Sequence, residues 1–263
     1  MSERERKAKS FDEVAEVYDR ARPTYPEEVF DDLFSMSGLR AGSAVLETGA
    51  GTGKASVSLA RRGCHLTCLE PGEQMAAIAS RNLATFPNAK VITAQFENFE
   101  TAAMSFDAIF AASSWHWLDP EIRYTKASRL LKPDGVLAIV TMEHAFPKDF
   151  DPIFTEIQQC YDAAGLGLPK WPPRQPDDVP DVREEIENTR LFKHLQVKRY
   201  LWTRDYTGEQ YVDMINTHSD HRTMKAEQRD QLLSCVRQRI GARIVRKHYL
   251  TILHLCWTSL RLV

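Results

Sequence analysis

No stretch of about twenty apolar residues occurs in the 263-residue sequence, so no segment reads as a membrane-crossing helix. Neither sign of charge is in surplus: 34 Lys and Arg face 36 Asp and Glu, a formal net charge of −2. A protein that tracks a nucleic-acid backbone gathers basic residues on one face. The short basic stretches Arg237–Arg239 and Arg243–Lys247 are better read as solvated helix or strand edges. Cysteine is scarce. The five residues, at 64, 68, 160, 235 and 256, are odd in number and scattered, and no Cys or His group near Cys64 and Cys68 completes a metal set. Those two flank an expected strand and read as buried thiols in a reducing cytoplasm. The charged first nine residues lack the apolar run of a signal peptide.

What is present suits an ordinary globular chain. Hydrophobic residues make up 43% of it, enough for a packed core, and the length fits one α/β domain with an inserted subdomain. Phe11–Phe34 has helical spacing, broken at Arg22-Pro23-Thr24-Tyr25-Pro26, because two prolines so close impose an extended turn. A βα alternation follows. Strands are expected at Ala44–Glu47, His65–Leu69, Lys90–Thr93, Phe106–Ala112 and Val136–Val140, and helices at Lys54–Arg62, Glu73–Leu83 and Pro120–Leu131. Such alternation builds a parallel sheet with helices on both faces. Lys132-Pro133-Asp134-Gly135 reads as a turn.

After Thr141 the pattern changes. A helix near Pro152–Ala164, a Pro-rich loop at Pro169–Pro180 and an acidic helix from about Val182 precede a strand at Val197–Arg204. Helices at Gly208–His218 and Ala226–Arg239 lead to a last apolar run, Tyr249–Trp257. The organisation expected is a helical lid and cofactor-binding core over 1–141, a cap over 142–195 that shapes the substrate pocket, and the rest of the core over 196–263.

The strongest motif is Val45-Leu46-Glu47-Thr48-Gly49-Ala50-Gly51-Thr52-Gly53. A strand that runs into three glycines and a helix lets the backbone pass close to a ligand, where Cβ atoms would block it. A dinucleotide fingerprint wants its third glycine at position 54, which is Lys54 here. Glu47 at the strand end repels a pyrophosphate but tolerates a zwitterionic tail with an ammonium group. Glu70, ahead of Pro71 and Gly72, ends the second strand, where a carboxylate can accept from both hydroxyls of a ribose; Met75 lies one turn further on. Beyond the third strand, Phe96 either packs against an adenine, offers its N–H to the ring, or is plain core. Glu97 can accept from an exocyclic amine.

In these motifs, with Phe11-x-x-x-Ala15-x-x-Tyr18-x-x-x-Arg22-Pro23-x-Tyr25-Pro26 and Ser114-Trp115-His116-Trp117, the chain resembles class I S-adenosylmethionine-dependent methyltransferases, in particular the small-molecule subgroup of trans-aconitate type. The resemblance covers about residues 10–141. It implies a Rossmann-like, seven-stranded α/β sheet of order 3-2-1-4-5-7-6 with the seventh strand antiparallel. It also implies S-adenosylmethionine as cofactor and S-adenosylhomocysteine as product, with no metal. Gly49 and Ala112 then face the methionine moiety, and the Tyr18/Arg22 segment closes over the cofactor. The family more often has a hydrophobic residue and a Cys around the first glycine, where this chain has Thr48-Gly49-Ala50.

Methyl transfer needs a nucleophile held about 3–3.5 Å from the methyl carbon with water excluded. Trp115 and Trp117 supply aromatic walls suited to a sulfonium. His116 is the best general-base candidate, against a structural role between two tryptophans. Tyr25, Trp117, Trp171 and His218 are the expected acceptor contacts, with core or surface duty as the alternative for Trp171 and His218. The remaining histidines form no ligand spacing. The function expected is methylation of a small molecule at O, N or C, with a monomer or homodimer and no nucleic-acid or membrane partner. The competing readings are an RNA or protein methyltransferase, a catalytically silent binder of the same cofactor, and a nicotinamide dehydrogenase.

Overall fold

The computed structural model describes residues 10–167, 171 and 173–259. Its centre is a seven-stranded sheet of order β3-β2-β1-β4-β5-β7-β6, the last strand antiparallel. In chain order, α1 (Ala15–Ala21) and α2 (Glu27–Ser37) precede β1 (Ala44–Thr48), α3 (Lys54–Arg61), β2 (His65–Glu70), α4 (Glu73–Leu83), β3 (Ala89–Thr93) and β4 (Phe106–Ala112). Then come α5 (Arg123–Leu130), β5 (Leu131–Ala145), α6 (Ile153–Ala163), α7 (Arg183–Thr189) and β6 (Phe192–Tyr206). The chain closes with α8 (Gly208–Asn216), α9 (Ser219–Arg222), α10 (Ala226–Ile240) and β7 (Val245–Thr258). Single 3₁₀ turns stand at Asp12–Val14, Phe96–Asn98, Trp115–Trp117 and Pro176–Asp178.

The β1–β2, β1–β4, β2–β3 and β4–β5 pairs are parallel. Val136–Val140 of β5 is buried without a break, as expected of a strand covered on both faces. β6, at the end of the order, alternates exposed with half-buried residues along most of its length. That explains why β6 starts five residues before the strand expected from the sequence. Lys193, His194, Gln196 and Lys198 dilute the apolar signal, while an edge strand tolerates polar side chains on its open face. β5 also starts earlier than expected. Leu131 pairs with Phe106 and Val136 with Ala108, so Lys132–Gly135 is an irregularity within the strand rather than a turn before it, with Asp134 at φ 57°. α5 begins only at Arg123, because Asp119 Oδ1 accepts the Glu121 N–H and forms a separate turn first.

The chain divides into two compact units. One comprises Pro23–Met142, Asp181–Arg199 and Thr251–Val263; the other comprises Met1–Arg22, Glu143–Pro180 and Tyr200–Leu250. The first holds the sheet core, in which Leu46, Leu69, Ile109, Leu137, Ile139 and Cys256 are fully buried together. In the second, α10 packs on α6 and α8, and α1 packs on α8. Thr207 starts α8 through a capping box: its Oγ1 accepts the Gln210 N–H at 3.3 Å while Gln210 Oε1 accepts the Thr207 N–H at 2.9 Å.

Cys64, Cys68 and Cys256 are buried thiols, as the sequence suggests for the first two. Cys160 and Cys235 differ. They are joined as a disulfide between α6 and α10, a pairing that a separation of 75 residues conceals in the sequence. Among the described residues no helix is long and apolar enough to cross a membrane.

Candidate active site

The bend after β1 is built from three left-handed glycines, with φ of 62° at Gly49, 59° at Gly51 and 83° at Gly53. Their roles separate when a Cβ is imagined on each. At Gly49 it would lie 2.6 Å from the Ser114 Cβ, so packing alone demands glycine. At Gly51 it would meet no atom within 4 Å: this glycine borders open space. Ala50 anchors the bend by donating its N–H to the Leu69 carbonyl at 3.0 Å.

The acid that ends β2 belongs to the same structure. Glu70 Oε2 accepts the Gly51 N–H at 2.7 Å, and Oε1 accepts the Gly72 N–H at 2.9 Å. The side chain is 8% exposed. Glu47 points inward at 1% exposure, taking the Ser56 hydroxyl at 2.6 Å and lying 3.7 Å from the Cys68 Sγ. Burial lifts its pKa to about 7, against the hydrogen bonds from Ser56 and Cys68, and the charge of Glu70 adds to the rise. Glu47 thus ties β1 to β2 and α3.

Met75 is buried on α4, and Pro71 is exposed. The Phe96 ring lies in the apolar core, with the Lys126 Nζ 5.6 Å from its centroid. Glu97 Oε1 accepts the Asp119 N–H at 2.7 Å. At the exit of β4, Ala112 is half-buried and Ser113 adopts φ 51°; the Tyr25 hydroxyl donates to Ser113 Oγ at 2.9 Å. Ser114 Oγ donates to the Thr48 carbonyl at 2.5 Å and locks this exit to the glycine bend. Trp115 packs edge-on against Tyr124, and its carbonyl takes a hydrogen bond from Arg123 at 2.8 Å. Beside it the His116 and Trp117 rings lie 4.6 Å apart. His116 keeps exposed surface while protein packs densely round it, and this desolvation, helped by the charge of Arg123, holds its pKa below the usual value. It is therefore neutral at pH 7 and able to accept a proton.

These features agree with what the chain resembles among known proteins. Residues 46–139 match the methyltransferase-domain family. An uncharacterized methyltransferase of Mycobacterium tuberculosis is 27% identical over 229 residues, spanning 87% of this chain and 84% of the relative. Among solved structures, a protein assigned as a type II methyltransferase from Anaeromyxobacter dehalogenans superposes with a TM-score of 0.61 at 23% identity, covering 89% of this chain and 97% of that one. An N-methyltransferase of Haemonchus contortus, solved with phosphomonomethylethanolamine and S-adenosylhomocysteine, shares the fold at a TM-score of 0.56 and 14% identity, with 99% of this chain and 61% of that one covered. Residues 46–139 thus form a methyltransferase domain on a Rossmann-like sheet.

The remaining expected site residues of this methyltransferase lie in the other unit. Arg22 donates from Nε to Thr217 Oγ1 at 2.7 Å and from Nη2 to the Thr217 carbonyl at 3.1 Å, and sits 5.2 Å from the Tyr18 ring centroid. His218 follows directly. Trp171 packs edge-on against Phe146 and Phe150 and donates to Thr155 Oγ1 at 3.3 Å. The sequence reading passed over three neighbours of His218. His144, His221 and Lys247 are all within its electrostatic reach. No motif marks them. One signal was available for Lys247: in a strand it shares a face with Val245 and Tyr249, two positions to either side, which the structure buries.

Proposed function

We propose that this methyltransferase moves the methyl group of S-adenosylmethionine to an oxygen, nitrogen or carbon of a small-molecule acceptor. The observation that carries the proposal is the joint between Glu70 and the glycine bend. One carboxylate fixes the N–H groups of Gly51 and Gly72, beside a glycine whose missing Cβ opens onto free space. When bound, the cofactor supplies a methyl group activated on a sulfonium.

The protein's own residues supply position and protection. Gly51 lets the backbone approach the amino-acid tail. Glu70, held by two N–H groups, is aimed to accept from ribose hydroxyls. Met75, Pro71, Phe96 and Glu97 are assigned to the nucleoside side, and Ala112 and Trp115 to the methionine side. Tyr25, bonded to Ser113, and Trp117 are assigned to the acceptor. His116, neutral by desolvation, removes a proton where the acceptor must lose one. The near-balanced charge favours a small molecule over a polyanion such as RNA.

The test is calorimetric titration of the full chain with S-adenosylmethionine and with NADH, followed by an acceptor screen that reads S-adenosylhomocysteine release. Binding of the sulfonium compound with turnover of a small molecule is the expected result. Preference for NADH, or cofactor binding weaker than millimolar, overturns the proposal.

A further inference from the structure

The unit containing α1, α6, α8 and α10 buries an unusual set of basic groups. Lys247 is 3% exposed. Among the described residues its ammonium makes no hydrogen bond and no ion pair; its nearest described partner is the Tyr249 ring, 4.9 Å from Nζ to centroid. Taking an ammonium out of water costs several kcal/mol unless a counter-charge repays it. Here desolvation, with the charge of Arg22 added, pushes the amine well below its ordinary pKa, and Glu143 opposes.

The neighbours are also basic. His218 feels Arg22, His221, Lys247 and His144. Among the described residues the His144 Nε2 and the His221 Nδ1 are buried without a hydrogen-bond partner, and Arg22 has no carboxylate partner. The bonds of Arg22 go to the hydroxyl and carbonyl of Thr217. Glu143 is exposed, His144 and His218 are half-buried and Lys247 is buried, so the group runs inward from the surface as a recess. One flank of the recess is aromatic, with Phe146 and Phe154 at 4.0 Å and 4.8 Å from the His144 ring.

Ion-pair arithmetic says what this recess lacks. Arg22 and Lys247 carry two potential positive charges against the single carboxylate of Glu143, and the imidazoles are neutral N–H donors. One added negative charge balances the set and satisfies the orphaned nitrogens. We infer that Lys247, Arg22, His144 and His218 form an anchor for an oxyanion group, a carboxylate or phosphate, on a small ligand. The inference stands on the residues of this unit and not on the methyltransferase reading.

The full-length protein is titrated calorimetrically with citrate, succinate and inorganic phosphate, with succinamide as the uncharged control and S-adenosylmethionine in a separate arm. At least one oxyanion is expected to bind ten-fold or more tightly than succinamide, and Lys247→Met to lose that binding ten-fold or more while keeping its cofactor affinity. Carboxylates and phosphate acting alone identify the class. Equal binding of succinamide, or an unchanged oxyanion Kd in the variant, overturns the anchor. A ten-fold loss of S-adenosylmethionine affinity in Lys247→Met overturns a separate anchor and makes the group part of cofactor binding. Should Lys247→Met not fold, His218→Phe is read in the same titrations, with a three-fold or greater loss of oxyanion affinity expected and no loss overturning the anchor. Failure of the wild-type protein to bind S-adenosylmethionine would sink the methyltransferase reading and leave the oxyanion arm to be judged by itself.

Discussion

The two units of this methyltransferase organise their polar groups in opposite ways. In the sheet unit, residues near in sequence work together: Gly51, Glu70 and Gly72 lie within 22 positions and are joined by direct hydrogen bonds. In the other unit, Arg22, His144, His218 and Lys247 come from four distant segments; among the described residues the Lys247 ammonium and the His144 Nε2 have no hydrogen-bond partner, while Arg22 is held by Thr217. The first arrangement is preorganised, with each donor already aimed. The second stores an electrostatic deficit that a ligand would fill. The first arrangement comes from a local turn, the second from long-range packing.

The sharpest break of this comparison is Gly51→Val. Left-handed backbone strains a β-branched residue by about 1–3 kcal/mol, and the new side chain projects into open space. Calorimetry should find no S-adenosylmethionine binding, while circular dichroism still reports a folded chain. Retained binding would move the cofactor away from the bend. Next comes Glu70→Gln, which keeps the shape and removes the charge. Cofactor affinity should fall by about 1.5–3 kcal/mol, the scale of a hydrogen bond to an ionised group; an unchanged Kd removes Glu70 from the site.

A third expectation concerns pH. Glu47 has a folded-state pKa of about 7, against a model-compound value of 4.5. The native state therefore holds a proton that the unfolded chain has released, and stability falls as pH rises from about 4.5 to 7. Glu47→Gln, measured by denaturant unfolding across that range, should flatten the decline and stabilise the protein at pH 8, by on the order of 1–3 kcal/mol. An identical pH profile would show that Glu47 is not buried in its acid form. The smallest effect expected is on His116→Ala, which should lower kcat by about ten- to a hundred-fold with cofactor affinity unchanged. A lower melting temperature with normal turnover would make His116 structural.

How much of this could be read from the chain depends on whether a feature is local. The helix Glu73–Leu83 and the strand Phe106–Ala112 have the bounds expected from their spacing, because each is a periodic pattern bounded by turn residues. The glycine bend and Glu70 were legible for the same reason. β6 and the start of β5 were not, since an edge strand and a bulge obey neighbours that periodicity does not see. Lys247 shows the limit most clearly. Its parity on β7 hints at burial, but that its neighbours would be Arg22 and three histidines follows only from the fold. The Cys160–Cys235 bridge is of the same kind.

That bridge has a further consequence. It fastens α6 to α10, and the ring of Tyr161, next to Cys160 in sequence, holds His221 through a 2.9 Å hydrogen bond. Reducing agent added during purification would therefore loosen the wall that sets the histidines in place. Whether the bridge is kept intact therefore belongs among the conditions under which the histidine wall is probed.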